Sequence, residues 1–423
     1  AALQPLTDGS DSAAAEALYL IGRAEHRSGD SDQAQEIFAR LAERFPGSAT
    51  GSEGLFLVAD LSHDEGEIER AARGYREVAS NFKGTDRAGL SLMRLGGMAF
   101  VQEDFEEAAA VWNEYRDTYP QGQRWLQSTY WAGRAYAEMG DTATAREYYR
   151  AAAEREPLSY YALRSAQRLG EDFWPIELAP SPAPDPAARA QVEDWVHGMD
   201  LLREAGLHEE AEAEADRLIR LVEGNEALAY ALAEVLNERG YTLRGIRLGW
   251  DLQGSGLPNE RLLRIIYPFP YRAMMSAEAA EKGLDPFLVA ALTRQESLFK
   301  ARITSGAGAR GLMQIMPETG KALARSVGIE DWDPEILYNP EINAHLGTIY
   351  LAEQMETYDG SLPSVFSAYN AGPHRVDDWS VFPEYGREEL FTERIPYRET
   401  RDYVKILTRN KEIYQGLYGD DGE

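Results

Sequence analysis

One feature limits this chain more than any other: the first part of it repeats every 37 residues. A small residue recurs at Ala34, Ala71, Ala108 and Ala145, and an aromatic follows four positions later at Phe38, Tyr75, Trp112 and Tyr149. A second aromatic closes three units at Phe45, Phe82 and Tyr119. A turn glycine precedes them at Gly29, Gly66 and Gly140, and Glu103 breaks the pattern in the third unit. A spacing of four puts the small residue and the aromatic on one helical face, where the small residue admits a neighbouring helix and the ring fills the gap. Each unit therefore reads as a helix pair. Such pairs cannot bury their apolar faces alone, so they stack into an α-solenoid.

The pattern resembles tetratricopeptide-like repeats, although 37 exceeds their usual period of about 34. Two readings of its purpose stay open, a concave surface for a protein partner and a scaffold with no specific ligand. The prolines of FWPIELAPSPAPDPAARA remove backbone donors and favour extended chain, which marks a linker. Helical periodicity resumes near Val192, and Pro268 and Pro270 interrupt it before the next domain. The expected organisation is an all-α chain: a solenoid over 1–178, a Pro-rich linker over 179–191, a helical linker domain over 192–265 and a further domain over 266–423.

Composition narrows the function classes. Lys plus Arg number 43 against 71 Asp plus Glu, a net charge of −28, which suits neither phosphate backbones nor anionic bilayers. Nucleic acid is excluded as a partner. No apolar run approaches the roughly 18–20 residues needed to span a membrane. The first residues, AALQPLTDGS, lack the features of a signal peptide, so the chain reads as a mature or trimmed form. Zero cysteines remove thiolate chemistry and Cys-ligated metals, and the six histidines are scattered without metal-ligand spacing, so no metal is expected.

The chemistry sits in GLDPFLVAALTRQESLF. Asp285 and Pro286 are a cap and first-turn signal, and Leu288, Leu292, Glu296 and Phe299 fall on one helical stripe. A carboxyl group on a buried stripe is either paired or pushed toward its protonated form, and a protonated carboxyl can protonate the leaving oxygen of a glycosidic bond. On the helix pattern alone a structural role for Glu296 is the commoner one. No Asp or Glu occurs from Ser297 to Pro317, so a nearby second carboxylate is missing. Gly306-Ala307-Gly308-Ala309-Arg310-Gly311 spells a dinucleotide-binding motif, but it follows a helix where that site needs a strand.

Four ordered motifs carry a resemblance. Glu296-Ser297 is followed by Ser305 and by Gly308-Ala309-Arg310-Gly311-Leu312-Met313-Gln314-Ile315-Met316-Pro317; then come Ala368-Tyr369-Asn370-Ala371-Gly372-Pro373 and the run from Ile395 to Val404. Asn339, Gly347 and Tyr350-Leu351 also fit. Together they resemble the soluble lytic transglycosylases, with a goose-lysozyme-like catalytic domain from roughly 266 to 410 and an N-terminal helical superstructure.

The resemblance implies cleavage of the β-1,4 bond between N-acetylmuramic acid and N-acetylglucosamine in peptidoglycan, ending in a 1,6-anhydro ring, in the bacterial periplasm and without a cofactor. Glu296 then acts first as acid and afterwards as base. Ser305 assists the N-acetyl group or orients Glu296, Tyr369 bonds near the reacting centre, and Glu399 supports Glu296 or keeps it protonated. Gln314, Met316, Met313, Gly311 and Asn370 are the implied sugar-contacting positions. Simpler roles stand beside these: Ser305 as a turn cap, Tyr369 as a fold anchor, Glu399 as an ion-paired group, and Met316 and Leu312 as core residues. The alternatives in function are a water-using muramidase, for which Asp377 would need a role, and a peptidoglycan-binding scaffold without activity.

Overall fold

The structure, a computed structural model, describes residues 3–254 and 256–419. Among the described residues there are 22 α-helices and no sheet, which is the all-α architecture expected from the repeats. Contacts divide the chain into two compact units. One holds the described residues up to Asp172 together with Val381–Leu390; the other holds Phe173–Ser380 and the described residues from Phe391 onward.

In the first unit the repeat is visible in the packing. Helices Ser31–Arg44, Ile68–Asn81, Phe105–Thr118 and Thr142–Arg155 carry the small and aromatic residues. Ala34, Ala71, Ala108 and Ala145 are buried, as are Phe38, Tyr75, Trp112 and Tyr149. The closing aromatics Phe45, Phe82 and Tyr119 are the residues at which three of these helices end. Intervening helices Ala49–Asp64, Asp86–Val101 and Trp125–Glu138 complete the pairs. A further line at the same spacing, Gly22, Ala59, Gly96 and Gly133, falls on the alternate helices. A Cβ built on Gly96 would lie 2.4 Å from the Trp112 ring, and one on Gly133 would lie 2.9 Å from Tyr149, so the rings rest on backbone.

The second unit departs from expectation at its entry. Helix Pro186–Glu204 begins within the expected linker, before Val192, because the Asp185 side chain accepts from the N–H groups of Ala187 and Ala188 while Pro186 fills the first turn. Further on, helix Pro286–Ser297 is capped by Asp285, which accepts from Phe287 N–H at 2.8 Å, and packs against the long final helix Arg398–Tyr418. In the loop that follows helix Pro286–Ser297, two isolated bridges pair Thr304 with Arg310 and Arg310 with Ile315. The glycine run from Gly306 to Gly311 lies in this loop and follows no strand among the described residues. No helix among the described residues is long and apolar enough to cross a membrane.

Candidate active site

Leu288, Leu292 and Phe299 are buried as the helical stripe predicts, while Glu296 at the end of that stripe keeps a partly exposed edge. The helix stops immediately after it: Leu298 and Phe299 adopt φ of 50° and 62°, and the chain turns into the acid-free loop. Burial pushes the Glu296 carboxyl up to about 7. The Tyr403 hydroxyl, donating to Oε1 at 2.5 Å, pulls the other way because it favours the ionised form, and the charge of Glu399 adds a smaller upward push. Among the described residues Oε1 has this partner and Oε2 has none. A carboxyl group balanced between its two forms near neutrality, with one oxygen held, can both give and take a proton.

The loop that follows is bound to the helix by polar contacts. Ser297, buried beside Glu296, donates its hydroxyl to the Leu312 carbonyl at 2.6 Å. Asn343, fully buried on helix Pro340–Thr357, accepts from Met313 N–H at 2.7 Å and donates to the Arg310 and Leu337 carbonyls at 2.9 and 2.8 Å. Gly311, with φ of 81°, packs so closely beneath them that a Cβ would sit 2.1 Å from the Leu337 oxygen and 2.2 Å from Asn343 Nδ2. Tyr369 donates to the Met313 carbonyl at 2.8 Å, and its ring meets Tyr350 at 5.2 Å. Burial, with the Glu296 charge second, holds both the Tyr369 and the Tyr403 hydroxyls well above their ordinary range, so both are donors throughout the physiological span.

Each expected position can now be placed. The Met313 side chain is fully buried against Gly347, where a Cβ would lie 2.4 Å from Sδ, so what Met313 offers the loop is its backbone. Gly311 is likewise buried under the loop and shapes it from within. Ser305 accepts from Ala309 N–H at 3.0 Å, the geometry of a turn cap, which leaves its hydroxyl proton uncommitted by that bond. Gln314 braces the loop through Nε2, which donates to the Gly311 carbonyl at 2.8 Å. Leu312 is fully buried, whereas Met316 is exposed and no core residue. Asn370 accepts from the buried Thr400 hydroxyl at 2.6 Å, and Glu399 is exposed in the first turn of the final helix. Asp377 lies on the short helix Pro373–Trp379.

Sequence reasoning did not single out Tyr403, Asn343 or the clamp made by Ser297. A signal existed for the first two. Tyr403 falls on the buried stripe with Thr400, Val404 and Leu407, and Asn343 sits beside Ala344, Leu346 and Gly347 on a face with no other reason to hold an amide. No group of three or more His, Asp or Glu among the described residues is placed to hold a metal ion.

The chain is similar to known proteins along most of its length. Residues 273–384 match the Transglycosylase SLT domain, and residues 7–163 match a tetratricopeptide repeat-like domain. The soluble lytic murein transglycosylase of Salmonella typhimurium is 29% identical over 296 residues, covering 69% of this chain and 44% of the relative. That of Escherichia coli is 28% identical over 297 residues, with the same coverage. This chain thus spans less than half the length of these relatives. A shorter relative, the transglycosylase of Enterobacteria phage PRD1, is 36% identical over 103 residues, 24% of this chain and 35% of its own. Among solved structures, an inactive mutant of the lytic transglycosylase Slt from Pseudomonas aeruginosa superposes with a TM-score of 0.73 at 24% identity, covering 96% of this chain and 63% of the other. A 70-kDa soluble lytic transglycosylase in complex with bulgecin A gives 0.73 at 22% identity, covering 97% and 64%.

Proposed function

We propose, from its similarity to the soluble lytic murein transglycosylases, that this chain cleaves the β-1,4 bond between N-acetylmuramic acid and N-acetylglucosamine in peptidoglycan and closes a 1,6-anhydro ring, with Glu296 as the single acid and base. The observation that carries the reading is the state of Glu296. Its carboxyl titrates near neutrality, about 7, beside a loop with no acidic residue from Ser297 to Pro317. As acid, Glu296 donates to the leaving glycosidic oxygen. With no second carboxylate in the loop to attack or to activate water, the substrate's own N-acetyl group stabilises the developing positive charge. As base, Glu296 then removes the proton of the C6 hydroxyl, whose oxygen closes on the anomeric carbon. The internal hydroxyl competes with water through proximity.

The remaining residues have supporting roles in this scheme. Tyr403 holds Oε1 and sets the balance between the two protonation states. Tyr369, Asn343 and Ser297 hold the backbone of Leu312 and Met313 against the catalytic helix. Ser305, Gln314, Met316 and Asn370 are assigned to the sugar-facing rim, and Glu399 to keeping Glu296 protonated. We assign 266–423 to glycan cleavage and the preceding helices to presenting it. The compartment that goes with this substrate is the periplasm.

The test is mass spectrometry of soluble products from purified sacculi incubated with the chain and with Glu296→Gln. Anhydro products about 18 Da lighter than hydrolytic muropeptides, present with the parent and absent with the variant, are expected, since ring closure excludes one water. Reducing-end products would instead make the chain a muramidase. Wild-type behaviour of Glu296→Gln would remove this residue from the chemistry.

A further inference from the structure

We propose that a cavity at the third repeat is a binding site for a short zwitterionic peptide, with Glu103 receiving its ammonium group and Arg164 and Arg387 its carboxylate. The cavity has a volume of about 530 Å³, in the range of small-ligand sites, and every residue lining it belongs to the N-terminal unit.

Glu103 is the residue that breaks the turn-glycine pattern. Gly29, Gly66 and Gly140 occupy the equivalent turns with φ of 89°, 79° and 82°, and Glu103 takes the same left-handed conformation at 63°. Glycine enters this region without cost, whereas a glutamate there carries backbone strain. The turn itself does not need the carboxylate, since three sister turns form with glycine. The Glu103 side chain is exposed and lines the cavity, and among the described residues it makes no hydrogen bond or ion pair.

The facing chemistry is cationic. In a chain with a net charge of −28, four arginines line this one cavity: Arg134, Arg164, Arg168 and Arg387. Glu389 takes up two of them, pairing with Arg168 at 2.8 Å and with Arg134. Arg164 donates to neutral partners, the Tyr160 hydroxyl and the Gln167 side-chain oxygen, both at 3.1 Å. The Arg387 guanidinium makes no hydrogen bond or ion pair among the described residues. Four glutamates also line the cavity, so it is neutral as a whole and favours a ligand bearing both signs over a simple anion. The acid comes from the turn before helix Phe105–Thr118, and the two arginines without an ion pair from helix Tyr160–Leu169 and the 381–390 segment, so the two signs stand on different elements.

The short peptides that substitute bacterial wall glycan carry both ammonium and carboxylate groups. The choice of that peptide class rests on the proposed function; the charge pattern rests on the cavity alone. The experiment is calorimetric titration of the full chain with a wall tetrapeptide freed of its sugars, and with the same peptide acetylated at its amines and amidated at its carboxylates. The charged peptide is expected to bind and the blocked one to bind at least tenfold more weakly. Arg387→Ala and Glu103→Gly should each weaken binding at least fivefold. Glu103→Gly should do so with Tm unchanged or raised, because glycine relieves the turn. Equal binding of the blocked peptide, no binding of the charged one, or parental affinity in Glu103→Gly would overturn the site. Cleavage of sacculi abolished in Glu296→Gln, without peptide binding by the parent, would remove the site and keep the function. Peptide binding that depends on Glu103, without cleavage, would do the reverse.

Discussion

The repeat turns and the loop after Glu296 both need left-handed backbone, and they meet that need differently. Three of the turns use glycine, at 29, 66 and 140, whereas the loop adds to Gly308 and Gly311 the full side chains of Leu298, Phe299 and Gln314 at φ of 50°, 62° and 50°. Such conformations cost of order 1–3 kcal/mol each and persist only where surrounding contacts over-determine them. Around the loop those contacts are present: the Phe299 ring is buried, Gln314 bonds back to Gly311, and the Asn343 amide makes three hydrogen bonds. The repeats are held instead by rings resting on small residues, Phe38 on Gly22, Trp112 on Gly96 and Tyr149 on Gly133. The difference teaches where redundancy lies. A repeat can lose one ring and keep its form, while the loop depends on polar groups that occur once.

The sharpest test of that contrast sets Trp112→Ala against Asn343→Ala. Removing the ring should cost roughly 3–5 kcal/mol of unfolding free energy and leave glycan cleavage per folded molecule within about twofold. Removing the amide leaves the Met313 N–H and the Arg310 and Leu337 carbonyls without their partner. That should cost roughly 3 kcal/mol and lower cleavage by about a hundredfold, because the loop moves relative to Glu296. Denaturant melts and turnover of sacculi by the folded fraction measure both, and equal loss of activity in the two variants would break the comparison.

Glu296 itself should destabilise the fold when ionised. Its folded pKa of about 7 lies above the ordinary 4.5, so between these values the folded state binds more protons than the unfolded one and stability falls as pH rises. Glu296→Gln should therefore gain on the order of 3 kcal/mol over the parent above pH 7 and nothing below pH 4.5, as read from Tm across that range. A smaller effect is expected from Tyr403→Phe. Losing a donor that favours the carboxylate raises the Glu296 pKa further, so the alkaline limb of the pH–activity profile should move upward while the rate at its maximum falls about tenfold. Smallest of all, Ser305→Ala should remove a turn contact worth about 1 kcal/mol and reduce cleavage less than tenfold. A loss as large as that of Glu296→Gln would put Ser305 in the chemistry itself.

Much of this was legible beforehand. The alanine and aromatic lines of the repeat marked buried positions because a helical face is a local, periodic property. The stripe through Leu288, Leu292 and Phe299 was legible for the same reason, and so was the cap at Asp285. The burial of the Met313 side chain was not legible, because its motif gives the residue and not its rotamer: the glycine that admits that side chain, Gly347, stands on another helix. Tyr403 reaches Glu296 across 107 positions of sequence, and Asn343 reaches Met313 across 30, so neither bond could be read from spacing. The break at Glu103 was visible as an irregularity, but the arginines gathered around it come from three separate stretches of chain.

What the sequence determined by itself was therefore the periodic part: helices, their buried faces, their caps, and the presence of one carboxylate beside an acid-free loop. Those follow from interactions that reach one turn of helix or one cap. The protonation state of Glu296 was decided only by tertiary structure, because desolvation, the Tyr403 donor and the charge of Glu399 act through space. The cavity at Glu103 was decided there too, since a charge pattern becomes a site only when distant segments are brought to face one another.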